Sequence, residues 1–207
     1  MARLSPRMVG LGTARSEIRE AFAFAQARAA VVGPENVDDF SIGNPSVPPP
    51  ETVNQTAVQL LQEQAATIHG YTSAQGDVSA REAIAKDLNN RFGTDITPGE
   101  LFLGCGASAE LCSVFKALAV ENGEILTIAP YFSEYEPFAA AANLELKVVP
   151  PDVPDFQIRL DMVEKFITDK TAILLLNSPN NPSGTVYTAQ TLSALAEILR
   201  KKEKEYG

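Results

Sequence analysis

From Glu51 onward, amphipathic helical patterns alternate with short apolar runs, and that alternation constrains the fold more than any other feature. Helical spacing covers 51–67, 77–92, 107–120, 132–142, 160–168 and 188–205. Between these lie candidate strands at Leu101–Leu103, Glu124–Ala129, Leu144–Val149 and Ala172–Asn177. Strands joined through helices must run parallel, because a parallel pair needs a long crossover. The expected architecture is therefore α/β, a three-layer α-β-α sandwich around a mostly parallel sheet. The run Ile173-Leu174-Leu175-Leu176 is unbroken and apolar, which predicts a strand buried on both faces. The last pattern, Leu192 to Tyr206, reads as a crossover helix that calls for a further strand. The expectation is a large domain incomplete on its C-terminal side.

Upstream the pattern differs. Residues 1–15 carry no periodicity. From Ser16 to Ala30, Ile18, Phe22, Ala25 and Ala29 recur at helical spacing, with Ser16 as N-cap and Gly33-Pro34 as the stop. Phe40 to Pro50, with prolines at 45, 48, 49 and 50, cannot be helical and reads as an extended arm. The organisation expected is a helix and arm over 1–50, then the first part of the main domain over 51–207.

Composition narrows the partners. Net charge is −9, so the surface field repels nucleic acid and anionic membranes. No stretch approaches the ~18 apolar residues of a membrane span, and no apolar signal core follows the N-terminus. Cys105 and Cys112 lack a metal-ligand spacing and read as reduced, packed thiols, so a cytoplasmic chain without a metal site is expected. His69 is the sole histidine and stands at a helix end, where it reads as a cap rather than a base.

Ligands of open parallel sheets bind at the carboxyl ends of the strands, and three segments fall there. In Leu103-Gly104-Cys105-Gly106-Ala107-Ser108-Ala109-Glu110, a strand passes through small residues into a helix. Glycines permit close approach, and free N–H groups at a helix start favour an anion. The plainer reading is a tight turn with no ligand. In Ala129-Pro130-Tyr131-Phe132-Ser133-Glu134-Tyr135, aromatics after a strand offer a stacking face for a planar ring, or simply pack a loop. In Asn177-Ser178-Pro179-Asn180-Asn181-Pro182-Ser183-Gly184, prolines make a rigid loop whose asparagines can bond a ring hydroxyl.

The run Asn177 to Gly184 resembles the Asn-Pro-(Thr/Ser)-Gly signature of fold-type-I pyridoxal-phosphate (PLP) enzymes, the class I/II aminotransferases. Gly43-Asn44-Pro45 resembles the family's arm motif, and Tyr71 to Gly76 its Tyr-x-x-x-x-Gly segment, with Arg81 following. Gly106-Ala107-Ser108 is similar to the phosphate-cup turn, and Pro130-Tyr131-Phe132 to the loop whose aromatic covers the pyridine ring. These matches occur in the family's order across roughly residues 40–207.

The resemblance implies roles. Ala107 and Ser108 would hold the PLP phosphate through backbone N–H, and Phe132 would stack on the ring. Asn181 would donate to the ring hydroxyl oxygen O3′. Tyr71 would reach the phosphate in a neighbouring subunit, implying a homodimer. Gly43 would line the substrate pocket. The activity implied is transfer of an amino group between an amino acid and a 2-oxo acid. A PLP lyase of the C–S or cyclopropane-forming type shares these motifs, and a non-catalytic phosphate-binding module is the reading from a different class. Ser183 stands where threonine is commoner, and Ala80 where leucine usually precedes the arginine. No catalytic residue is assigned within this chain, because the family's Schiff-base lysine is expected beyond Gly207. Lys201, Lys202 and Lys204 read as a solvated helix face.

Overall fold

The computed structural model describes residues 4–14, 17–43 and 45–207. Ser16, expected as an N-cap, and Asn44 of the arm motif lie outside the described residues. The chain falls into two compact units, Met1–Thr72 and Ser73–Gly207.

The first unit holds α1 (Pro6–Thr13), α2 (Glu17–Val32), a 3-10 turn at Pro34–Asn36, α3 (Glu51–Glu63) and α4 (Ala65–Ile68). Residues 1–15 showed no periodicity, yet α1 forms there. Its proline sits at the helix start, where the missing N–H has no partner to lose, and none of its residues is buried. Eight residues with glycines at 10 and 12 span too few turns to show a repeat. The helix expected over 51–67 is broken at Gln64, whose backbone leaves helical geometry at φ −126°. Among the described residues of 37–43 and 45–50 there is no regular element, in keeping with their prolines.

The second unit begins with α5 (Val78–Phe92), capped by Asp77 and closed at Gly93. A 3-10 turn at Pro98–Glu100 leads to α6 (Ala107–Ala117). Then come β1 (Glu124–Ile128), α7 (Tyr135–Ala141), β2 (Glu145–Val149), α8 (Leu160–Phe166), β3 (Thr171–Leu175) and α9 (Ala189–Tyr206). The sheet order is β2-β1-β3. Both pairings are parallel, with Ile128 opposite Val149 and Thr127 opposite Leu175.

The side-chain alternation of β1 builds the layers. Leu126 and Ile128 face one side and pack with Val149, Val163 of α8 and Leu195 of α9. Ile125 faces the other and packs with Phe115 of α6, Ala139 of α7 and Leu144. Ile125, Leu126, Val149 and Val163 are fully buried, each contributing about 1.5–3 kcal/mol of apolar transfer energy. Helices thus cover both faces of a parallel sheet.

Two sequence expectations need correction. Leu101–Leu103 is not a strand. Among the described residues its one backbone hydrogen bond to another segment is the Leu103 N–H donating to the Gln75 carbonyl at 3.0 Å, and a β-strand exists only through a ladder of such bonds. β3 is only half-buried. Its side chains enter both cores, Leu174 on one side and Ile173 and Leu175 on the other. It is nevertheless an outer strand, paired with β1 alone.

Candidate active site at the carboxyl edge of the sheet

Topology brings three of the sequence-chosen segments to one edge. The loops following β1 and β3 leave adjacent parallel strands at the same end. α6 leads into β1 through residues 118–123 and packs with α7 on one face. It therefore runs opposite to β1, and its N-terminus points to that carboxyl edge. Phe132 and Asn181 lie in the loops after β1 and β3 at that edge, and Ala107 and Ser108 open the helix whose N-terminus points toward it. Tyr71 and Gly43 belong to the first unit.

At the start of α6, Gly106 takes φ +104°, a backbone state that strains any residue with a Cβ. That conformation marks the turn from which the chain enters α6. Ala109 and Glu110 N–H donate to the Gly106 carbonyl at 3.1 and 3.2 Å. No described residue accepts from the Ala107 or Ser108 N–H, and the Ser108 hydroxyl is likewise unpaired. Both residues are exposed. Two free donors at the positive end of a helix dipole form a ready anion cup.

After β1, three aromatics cluster. Tyr131 stacks on Tyr135 with centroids 6.3 Å apart, and Phe132 meets Tyr135 edge-on at 5.6 Å. Tyr135 is buried and anchors the group; its burial pushes the phenol above its ordinary range. Phe132 is half-buried and leaves part of its ring open.

The loop after β3 is held from within. Asn180 is 7% exposed, and its Oδ1 accepts from the Ser183 N–H at 3.1 Å and the Ser183 hydroxyl at 2.8 Å. The Asn180 N–H donates to the Thr185 carbonyl at 2.9 Å, and the Gly184 N–H to the Asn180 carbonyl at 2.7 Å. Asn177 Oδ1 accepts the Asn181 N–H at 2.6 Å. Ser178 Oγ accepts the Tyr187 N–H at 3.1 Å. The backbone of Asn181 is thus fixed while its side-chain amide stays exposed and unpaired. Fixed backbone and free donor suit recognition of a ligand oxygen.

Sequence reasoning missed three contributors. Asn180 holds the loop that presents Asn181, and only its place in the motif hinted at this. Tyr187 is buried at the same edge, and burial raises its phenol too, with a smaller push from Tyr135. Glu110 folds back from α6 onto Gly104, which no helical pattern announces. No lysine occurs in 103–110, 129–134 or 176–188, the segments that form this edge. Among the described residues no group of acidic, histidine or cysteine side chains could hold a metal, and no helix is long and apolar enough to cross a membrane.

The profile described as "Aminotransferase class I and II" matches residues 35–204. The chain belongs to that family. It is 34% identical to the aspartate aminotransferase of Thermotoga maritima over 179 residues, covering 86% of this chain and 47% of the relative. It is 29% identical to aromatic-amino-acid aminotransferase 2 of Thermococcus litoralis, over 88% of this chain and 45% of that one. Among solved structures it superposes on an amino transferase from Eubacterium rectale with TM-score 0.95 and 48% identity, covering all of this chain and 52% of the other. Aspartate aminotransferase from Thermus thermophilus with maleate gives TM-score 0.83 at 27% identity, over 97% of this chain and 51% of that one. The chain spans about half the length of these aminotransferase relatives, which share the α/β large domain whose first part is seen here.

Proposed function

We propose that this chain forms the phosphate- and ring-binding half of a PLP-dependent aminotransferase that moves an amino group between an amino acid and a 2-oxo acid. One observation carries the reading. Ala107 and Ser108 hold unpaired amides at the start of α6, on the same sheet edge as the rigid Asn177–Gly184 loop.

The residues fit the cofactor. Ala107 and Ser108 N–H would donate to its phosphate, the exposed amide of Asn181 to O3′, and the open part of Phe132 would cover the ring. Space around Gly106 is open, with no atom within 4 Å of a would-be Cβ. Bound PLP supplies the electron sink that lets a proton leave the amino acid's Cα. The role this reading gives the chain's own residues is to bind and orient the cofactor. The lysine that holds the cofactor would come from outside these 207 residues. Tyr71 would serve the phosphate of a second subunit, which its full exposure supports, and Gly43 would line the substrate pocket. A homodimer working in the cytoplasm completes the reading.

Ala107→Pro tests it. Proline is accepted at the first helical position but brings no N–H. The variant should fold with unchanged helix content and lose phosphate-competable binding of PLP, measured by fluorescence titration. Unchanged PLP affinity in a folded Ala107→Pro protein would refute the cup.

A further inference from the structure

We infer that Glu110 is a built-in rival of the cofactor's phosphate, a carboxylate that sets how tightly the Ala107–Ser108 cup holds a dianion. The inference rests on the cup being the phosphate site.

Side chains on a helix lean toward its N-terminus. Glu110, the one acidic residue in the first turn of α6, follows that lean back to the loop before the helix. Its carboxylate lies directly against Gly104, so close that a Cβ there would fall 1.4 Å from Oε1. A side chain at 104 would displace the carboxylate from this position. The side chain is half-buried, yet no described group donates a hydrogen bond to it. Among the described residues no salt bridge reaches it either: the ion pairs of the second unit join other carboxylates. Its charge is left to solvent and to the positive end of α6, the terminus toward which the side chain leans. The amides of Ala107 and Ser108 at that end are themselves unpaired.

Glu110 and an incoming phosphate would therefore draw on one helix terminus, and they repel each other. The carboxylate partly neutralises the helix end while the cup is empty and opposes a dianion entering it. A protein of net charge −9 adds no countering field. Charge removal at this position should strengthen the cup, although it takes away a favourable helix-dipole contact. A single charge at a helix end changes affinity by about 2- to 5-fold, and the effect should shrink once the Debye length falls well below ~10 Å.

The experiment is a titration of the 207-residue chain with inorganic phosphate, with PLP and with pyridoxal, which lacks the phosphate. Affinities are read from the amide resonances of Ala107 and Ser108 in wild type, Glu110→Gln and Glu110→Ala. Both variants should bind phosphate and PLP about 2- to 5-fold more tightly than wild type. Pyridoxal binding should not change, and the gain should fade at high salt. Phosphate binding that is equal or weaker in both variants would overturn the role of Glu110 and leave the cup standing. A gain confined to Glu110→Ala would also overturn it, since bulk rather than charge would be responsible. If phosphate moves neither amide in any of the three proteins, the cup itself is wrong and this inference falls with it.

Discussion

Arg81 donates from Nη1 to the Pro98 carbonyl at 2.5 Å, while its Nε is buried without a partner. Only 7% of the residue is exposed. It ties α5 to the turn at Pro98–Glu100. Gln75 reinforces the same segment through Nε2 to the Gly99 carbonyl at 3.1 Å and through its own carbonyl to Leu103 N–H at 3.0 Å. These bonds hold the stretch that enters α6, although that stretch is no strand.

Arg81→Ala should therefore cost about 2–4 kcal/mol, combining a cavity with loss of the shorter of the two hydrogen bonds to the Pro98 carbonyl, which keeps only the Leu101 N–H at 3.4 Å. Both variants remove the orphan Nε, and Arg81→Met should cost less because it fills the space. Urea midpoints of the two variants check this. Equal losses would contradict the packing half of the explanation.

Asp77 caps α5, accepting from the Ala80 N–H at 3.0 Å and from the Ser79 hydroxyl. The Ser79 bond foremost, then the Ala80 bond, holds its carboxyl below the ordinary 3.8. A depressed carboxylate stabilises the fold above its unfolded value, and that contribution is lost as pH falls through the folded one. Acid unfolding below about pH 4 should be less steep in Asp77→Asn, which keeps a capping oxygen but cannot titrate. Stability against pH, followed by circular dichroism, reads this directly; an unchanged acid limb would refute it.

Asn181→Ala in the intact enzyme should leave cofactor bound and slow the reaction. Loss of one donor to a charged oxygen corresponds to about 1–3 kcal/mol. The measurement is kcat/KM beside cofactor content. Loss of cofactor with unchanged turnover per bound PLP would show that Asn181 serves binding instead.

Most of this architecture was legible because burial leaves periodic marks. Ile125 and Leu126 alternate between two cores, and each helix that packs on the sheet carries an apolar stripe. Leu101–Leu103 misled because apolar runs record burial tendency, whereas a strand needs a neighbour. α1 was invisible because its eight residues, two of them glycine, span too few turns to show a repeat. At the site, Asn177–Gly184 stood out by its prolines. The orientation of Glu110 and the bonds of Asn180 depend on side-chain direction, which residue spacing does not encode.

Tyr71 is fully exposed in the first unit. If it serves a neighbouring subunit, light scattering on the full-length protein should give a dimer, and Tyr71→Phe should weaken PLP binding without dissociating it. A fully active monomer would contradict shared sites.

The central claim is that this chain offers neutral phosphate donors and a ring loop but no lysine to hold the cofactor. Mixing the 207-residue chain with PLP, dialysing, and recording absorbance before and after adding amino acid tests it most directly. The account predicts that the cofactor band dialyses away and that amino acid changes nothing. A lysine-bound cofactor band that survives dialysis and shifts when amino acid is added would contradict it.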